Sequence, residues 1–239
     1  MPIIAVTTPR ARVRRAVLAI LAMGAALSSA CLGDGPTAEE PTSYLRIVQT
    51  IPNAPLLALY VDSAPTISGL TYRAIAGFVP LEAGVRRIRL IPSSGGAAIV
   101  DDSLTFLFAK AYTVVATGML GSVQSVVAPD TAPFPIDGEF KVRVIQAAPT
   151  AGAVDVYVTD ASASLATATP TMSGLQFRGV LDYITVPVGR NRIRLTTAGT
   201  TDVVLDVTQI FGVSSMRTII ATDAPGGGLP LTELILIDY

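Results

Sequence analysis

The sequence has 239 residues, half of them apolar and 15% charged, with 17 basic against 18 acidic side chains. That composition excludes a disordered chain and supplies material for a core, in one to two domains by length. The absence of any histidine excludes Ser-His-Asp and Cys-His nucleophile systems and His-ligated zinc, and there is no tryptophan to stack on a sugar or a cation.

The first thirty residues read as a signal peptide. Arg10, Arg12, Arg14 and Arg15 precede an uncharged run from Ala16 to Ala30, and its 15 residues are short for a membrane span, which needs about 20. Removing them leaves 13 basic against 18 acidic side chains, a net charge of −5, which argues against nucleic acid as a partner. The run ends at Leu27-Ser28-Ser29-Ala30-Cys31, and Cys31 is the chain's lone cysteine. This stretch resembles the lipobox of bacterial lipoproteins, with Ser28 where Leu is usual. The resemblance implies a lipid on Cys31 that holds the protein to a membrane. An ordinary signal-peptidase site, leaving a free cysteine, is the alternative, and a retained anchor is a third. Residues 31–43 then form a tether rich in Gly, Pro, Thr and acid.

The remainder repeats itself. Residues 44–62 align with 141–159, where Arg46, Gln49, Pro52 and Tyr60 recur as Arg143, Gln146, Pro149 and Tyr157. After eight extra residues, 68–118 aligns with 173–223 without a gap and with fourteen of 51 positions identical. This spacing predicts two tandem domains, 44–128 and 139–239, joined by a proline-rich linker over 129–138. Each should fold on its own. Within each copy the period is two: Ile88 and Leu90 alternate with Arg87 and Arg89, and Ile193 and Leu195 with Arg192 and Arg194. About seven half-buried strands per copy predict an all-β fold of two small antiparallel β-sandwiches, similar to immunoglobulin or transthyretin-type domains.

Several stretches carry a family resemblance. They are Pro52-Asn-Ala-Pro55, Leu59-Tyr-Val-Asp62, Gly69-Leu70 and Lys110-Ala-Tyr-Thr-Val-Val-Ala-Thr-Gly118, with Ala148-Pro149, Val154-Asp-Val-Tyr-Val158 and Gly174-Leu175 in the second copy. The chain resembles a bacterial family known as domain of unknown function 4397, over essentially all of residues 44–239. Members often have His where Gln49 and Gln146 stand here. The resemblance implies exported domains and no particular chemistry.

The most conspicuous polar groups are Arg87, Arg89, Arg192 and Arg194. They would serve as an anion-binding face for phosphate or sulfated sugar. Alternatively they lie on the wet side of a strand opposite Asp101 and Asp206, and the acidic balance favours that reading. Arg89–Asp101 and Arg194–Asp206 are then expected to be exposed cross-strand pairs. Asp101-Asp102, and Asp202 with Asp206, lack any calcium-loop spacing. Tyr60 and Tyr157 alternate away from the apolar face, where they would form a contact surface or cover the sheet. The sequence marks no catalytic residue, metal or cofactor. It points to a non-enzymatic lipoprotein of the bacterial cell envelope, at the outer membrane or cell surface. Its two modules would meet a protein or glycan partner. A glycan- or calcium-binding module is the alternative, with a hydrolase behind both.

Overall fold

The computed structural model describes residues 42–238, so the expected signal peptide, Cys31 and most of the tether lie outside the described residues. Sixteen strands follow one another. The first half holds β1 (Thr42–Thr50), β2 (Leu57–Val61), β3 (Ala64–Leu70), β4 (Val79–Glu82), β5 (Gly84–Pro92), β6 (Val100–Phe106), β7 (Ala111–Thr117) and β8 (Gln124–Pro129). The second holds β9 (Glu139–Gln146), β10 (Val154–Asp160), β11 (Met172–Leu175), β12 (Val180–Pro187), β13 (Gly189–Thr197), β14 (Val203–Phe211), β15 (Ser215–Thr222) and β16 (Thr232–Ile237). The only helical turn among the described residues is a 3-10 turn at Leu165–Thr167.

The two halves are built alike, each as two four-stranded sheets. Sheet A has the order β4-β1-β7-β8 and sheet B the order β3-β2-β5-β6; sheets C (β12-β9-β15-β16) and D (β11-β10-β13-β14) repeat them. Each half therefore has eight strands rather than about seven. One pairing in each is parallel, β1 with β7 and β9 with β15. Residues 51–110, which make sheet B and the edge strand β4, supply the long crossover that a parallel pair needs. The other pairings are antiparallel, as expected.

Alternation explains the sandwich interiors. Leu57, Leu59, Ile88 and Leu90 of sheet B meet Leu45, Ile47 and Val114 of sheet A in one core. Val154, Val156, Ile193 and Leu195 of sheet D meet Phe140, Val142, Val144 and Ile219 of sheet C in another. Phe140 and Phe211 stack there at 3.8 Å between ring centroids.

Sheets A and C, however, are buried on both faces. Val48, Val115, Val126 and Ala128 turn away from sheet B and pack against Ile145, Ile220, Leu234 and Leu236 of sheet C, making a third core. The layer order is thus B, A, C, D, and the described residues lie within one compact unit.

A polar cluster seals one end of this interface. The Arg143 guanidinium donates to Asp130 (2.5 Å), to the Pro129 carbonyl (3.1 Å) and to Thr218 (3.0 Å). The Arg46 guanidinium donates to Asp238 (2.5 Å), to the Ile237 carbonyl (3.0 Å) and to Thr113 (3.0 Å). Each arginine therefore reaches the carboxylate of the other half. Thr113 and Thr218 hydroxyls donate to Asp130 (2.6 Å) and Asp238 (2.7 Å), and the guanidinium groups lie over Phe78 and Tyr183. All four charged side chains are at most 5% exposed. Asp130 belongs to the stretch expected to be only a linker.

The opposite end is tied in the same reciprocal way. Arg73 donates to the Glu233 carbonyl, and Arg178 to the Ser125 carbonyl at 3.5 Å. Both arginines have positive φ, +65° and +69°. Thr117 donates to the Ala147 carbonyl at 2.7 Å.

Candidate functional site: the outer faces of sheets B and D

On sheet B, Ile88 and Leu90 point inward, so the pleat sends Arg87 and Arg89 out; Arg192 and Arg194 stand likewise on sheet D. The backbone register is the expected one, with Arg89 opposite Asp101 and Arg194 opposite Asp206. The ion pairs are not. Asp101 takes both its hydrogen bonds from Arg87, at 2.6 Å each, and Asp206 takes both from Arg192. A guanidinium is long enough to use the diagonal neighbour two residues along, which strand twist brings closer. These bonds hold both carboxyls below their ordinary pKa and raise that of the arginines.

Arg89 instead donates to the Asp62 carbonyl (2.8 Å) and lies 5.7 Å from the Tyr60 ring centroid. Arg194 is buried, donating to Thr159 (3.0 Å) and the Ala163 carbonyl (3.2 Å), against the expectation that it is exposed. The structure thus divides the four arginines between two sheets and gives each a protein partner. An anion would have to displace Asp101 or Asp206 to engage Arg87 or Arg192. Among the described residues no three acidic or thiol groups gather to hold a metal ion.

The largest difference between the halves lies beside these arginines. On sheet B an open groove of about 380 Å3 runs along Ala58, Tyr60, Ile67, Ile91 and Pro92, edged by the hydroxyls of Thr66, Ser68 and Ser93. On sheet D the matching position is filled, and the recess on that face, of about 420 Å3, lies instead by Ser162, Arg190, Arg192 and Thr208. Tyr157, in the place of Tyr60, is buried. Asp155, in the place of Ala58, is buried too and its carboxylate accepts the Gly174 and Gly199 amides at 2.7 and 2.8 Å. The longer connection after β10 folds back so that its Ala163 carbonyl meets Arg194. The sequence shows the eight extra residues and both tyrosines, but not that this position is filled on one sheet and open on the other.

A second recess of about 200 Å3 opens at the arginine–carboxylate cluster, between Asp130, Ala132, Phe134, Tyr183, Met216 and Asp238. Tyr183 donates to Asp238 at 2.8 Å, and burial raises the pKa of its hydroxyl well above that of a free phenol. Arg46, Arg143, Asp130 and Asp238 were not singled out from the sequence as a site, although the recurrence of the two arginines was visible.

Residues 43–157, which take in the first sandwich and run into β10, match the family model described as domain of unknown function (DUF4397), so the chain contains a domain of that type and a second sandwich of similar build. No curated protein matches the chain. Among solved structures, an alpha-glucan-binding protein domain from a streptococcal virulence factor is 14% identical, covering 74% of this chain and 92% of that one at a TM-score of 0.26. A family 41 carbohydrate-binding module from streptococcal virulence factors is 10% identical with the same coverage and TM-score. A family 26 module from Eubacterium rectale, solved with maltoheptaose, is 12% identical over 82% of this chain and 96% of that one, again at 0.26.

Proposed function

We propose that the chain is an exported, non-enzymatic cell-envelope protein, lipid-anchored through Cys31, whose first sandwich binds a neutral glycan in the groove beside Tyr60. The observation that carries this reading is the open groove beside Tyr60 on sheet B, where sheet D has Tyr157 and Asp155 buried. A groove of this volume lies in the range of small-ligand sites. Its lining suits a sugar ring, with apolar Tyr60, Ile67 and Pro92 for the C–H faces and Thr66, Ser68 and Ser93 for the hydroxyls. No carboxylate lines it, so general-acid and nucleophile pairs of the glycosidase kind lack their residues there, and so does a calcium site. The second sandwich serves as a structural partner.

The test is affinity electrophoresis and calorimetry of the full chain against a panel of neutral polysaccharides. We expect retention by at least one, reduced at least about tenfold by Tyr60→Ala and unchanged by Tyr157→Phe. A chain that no neutral glycan retards, or a Tyr60→Ala variant that binds as well as the parent, would overturn the reading.

A further inference from the structure

The reciprocal ties set both sandwiches pointing the same way. Arg46, near the start of β1, meets Asp238 just past the end of β16, while Thr117, at the end of β7, meets the carbonyl of Ala147 just past the end of β9. The starts of β1, β5 and β7 and the ends of β6 and β8 therefore share one end of the molecule with the starts of β9, β13 and β15 and the ends of β14 and β16.

That end is apolar. Among the described residues, the seven most exposed large apolar side chains lie there, while Leu229, 59% exposed, lies at the opposite end. The seven include Phe108 in the β6–β7 turn, Val85 at the start of β5, Ile136 before β9, Ile210 near the end of β14, Val213 in the turn that follows, and Ile237 at the end of β16. Both halves and the linker contribute. A soluble surface scatters such residues singly, and their collection at one end marks a contact surface.

The chain also enters at that end. The Thr42 carbonyl accepts the Ala109 amide at 2.9 Å, next to Phe108, so the described chain begins beside that turn. Residues 32–43 span only roughly 20 Å as a coil. A lipid on Cys31 would tether the protein from this end.

We infer that this end is a membrane-contacting surface whose exposed Phe, Val and Ile side chains dip into the lipid headgroup and upper acyl region. The inference takes its orientation from the proposed anchoring through Cys31, and does not depend on glycan binding. Shallow apolar insertion of this kind adds to the hold of a lipid anchor and fixes the orientation of the domain on it. The arrangement also turns the opposite end away from the bilayer.

Because the chain has no tryptophan, single-tryptophan reporters are clean. Full chains carrying Phe108→Trp or, at the opposite end, Leu56→Trp would be mixed with vesicles of phosphatidylethanolamine and phosphatidylglycerol. We expect the Phe108→Trp emission to shift to the blue and to be quenched by brominated acyl chains, with Leu56→Trp unaffected. Val213→Asp combined with Ile210→Asp should lower vesicle partitioning at least about tenfold, with circular dichroism showing an intact fold. Equal quenching at both ends, or none at Phe108→Trp, overturns the inference. So does a blue shift that follows protein concentration without vesicles, which would assign the surface to a second copy of the chain. Mass spectrometry of Cys31 reads the anchor separately, so a missing lipid and a missing contact are told apart.

Discussion

Replacing Arg143 by alanine should be among the most damaging single changes to this fold. Asp130 would keep the Thr113 hydroxyl at 2.6 Å and Arg46 at 3.6 Å, but would lose its only guanidinium within 3 Å while remaining 2% exposed. Breaking a buried pair by removing one partner costs about 3–5 kcal/mol, because the surviving charge is left uncompensated. The same change removes the donor to the Pro129 carbonyl and the cation over Tyr183 at 4.5 Å. Against a total stability of about 5–15 kcal/mol this is a large fraction. Urea unfolding of the full chain, with a slope near 2–3 kcal/mol per molar, should show a midpoint lower by roughly 1–2 M. Arg87→Ala, which breaks a pair in which both side chains are at least 40% exposed, should leave the midpoint nearly unchanged. Arg143→Met combined with Asp130→Asn should recover much of the loss, since the unpartnered charge goes with it. Equal midpoints for Arg143→Ala and Arg87→Ala would refute this reasoning.

Two further expectations follow from the same geometry. Hydrogen bonds from Arg87 and Arg192 depress the folded-state pKa values of Asp101 and Asp206, so their contribution to stability is present above the unfolded value, about 3.9, and is lost as pH falls through the folded ones. Carboxyl NMR titration should find both midpoints below that of a free aspartate, and Arg87→Ala should return Asp101 toward it. Fragments 42–130 and 131–239 each hold a sandwich core, but each exposes one side of the third core and one half of the reciprocal ion pairs. Mixed, they should form a one-to-one complex by sedimentation; two monomers indifferent to each other would show that the interface contributes little.

The legible parts of the fold were those written in local spacing. Alternation in β2, β5, β10 and β13 gave sheets B and D, because each has one face in a core and one in solvent or under a short loop. Sheets A and C carry a different mark. Ile47-Val48, Val114-Val115, Val144-Ile145 and Ile219-Ile220 are adjacent apolar pairs, one member for each face, which is how a sheet buried on both sides reads. The sequence does not say what covers the second face, because the cover is the other half of the chain. The same distance hid the ion pairs: Arg46 and Asp238 are 192 positions apart, and Asp130 sits in a stretch whose prolines read as linker. The register of Arg89 and Asp101 was predictable, but the choice of Arg87 as partner depends on twist and side-chain reach. The groove depends on whether an insertion folds over its own sheet or away from it, which composition does not encode.

The exchanged Arg–Asp braces have a consequence for how the two halves can change. Each arginine finds its carboxylate across the interface, which is the bonding pattern of a closed twofold homodimer. In a true homodimer every substitution is written twice, so a loop that closed one binding face would close both. Joined in a single chain, the halves keep the mutual grip of such a dimer while their outer faces vary separately. Sheet D is filled around Tyr157 by its longer connection and Asp155, and sheet B stays open beside Tyr60, without any change to the contacts that hold the pair together.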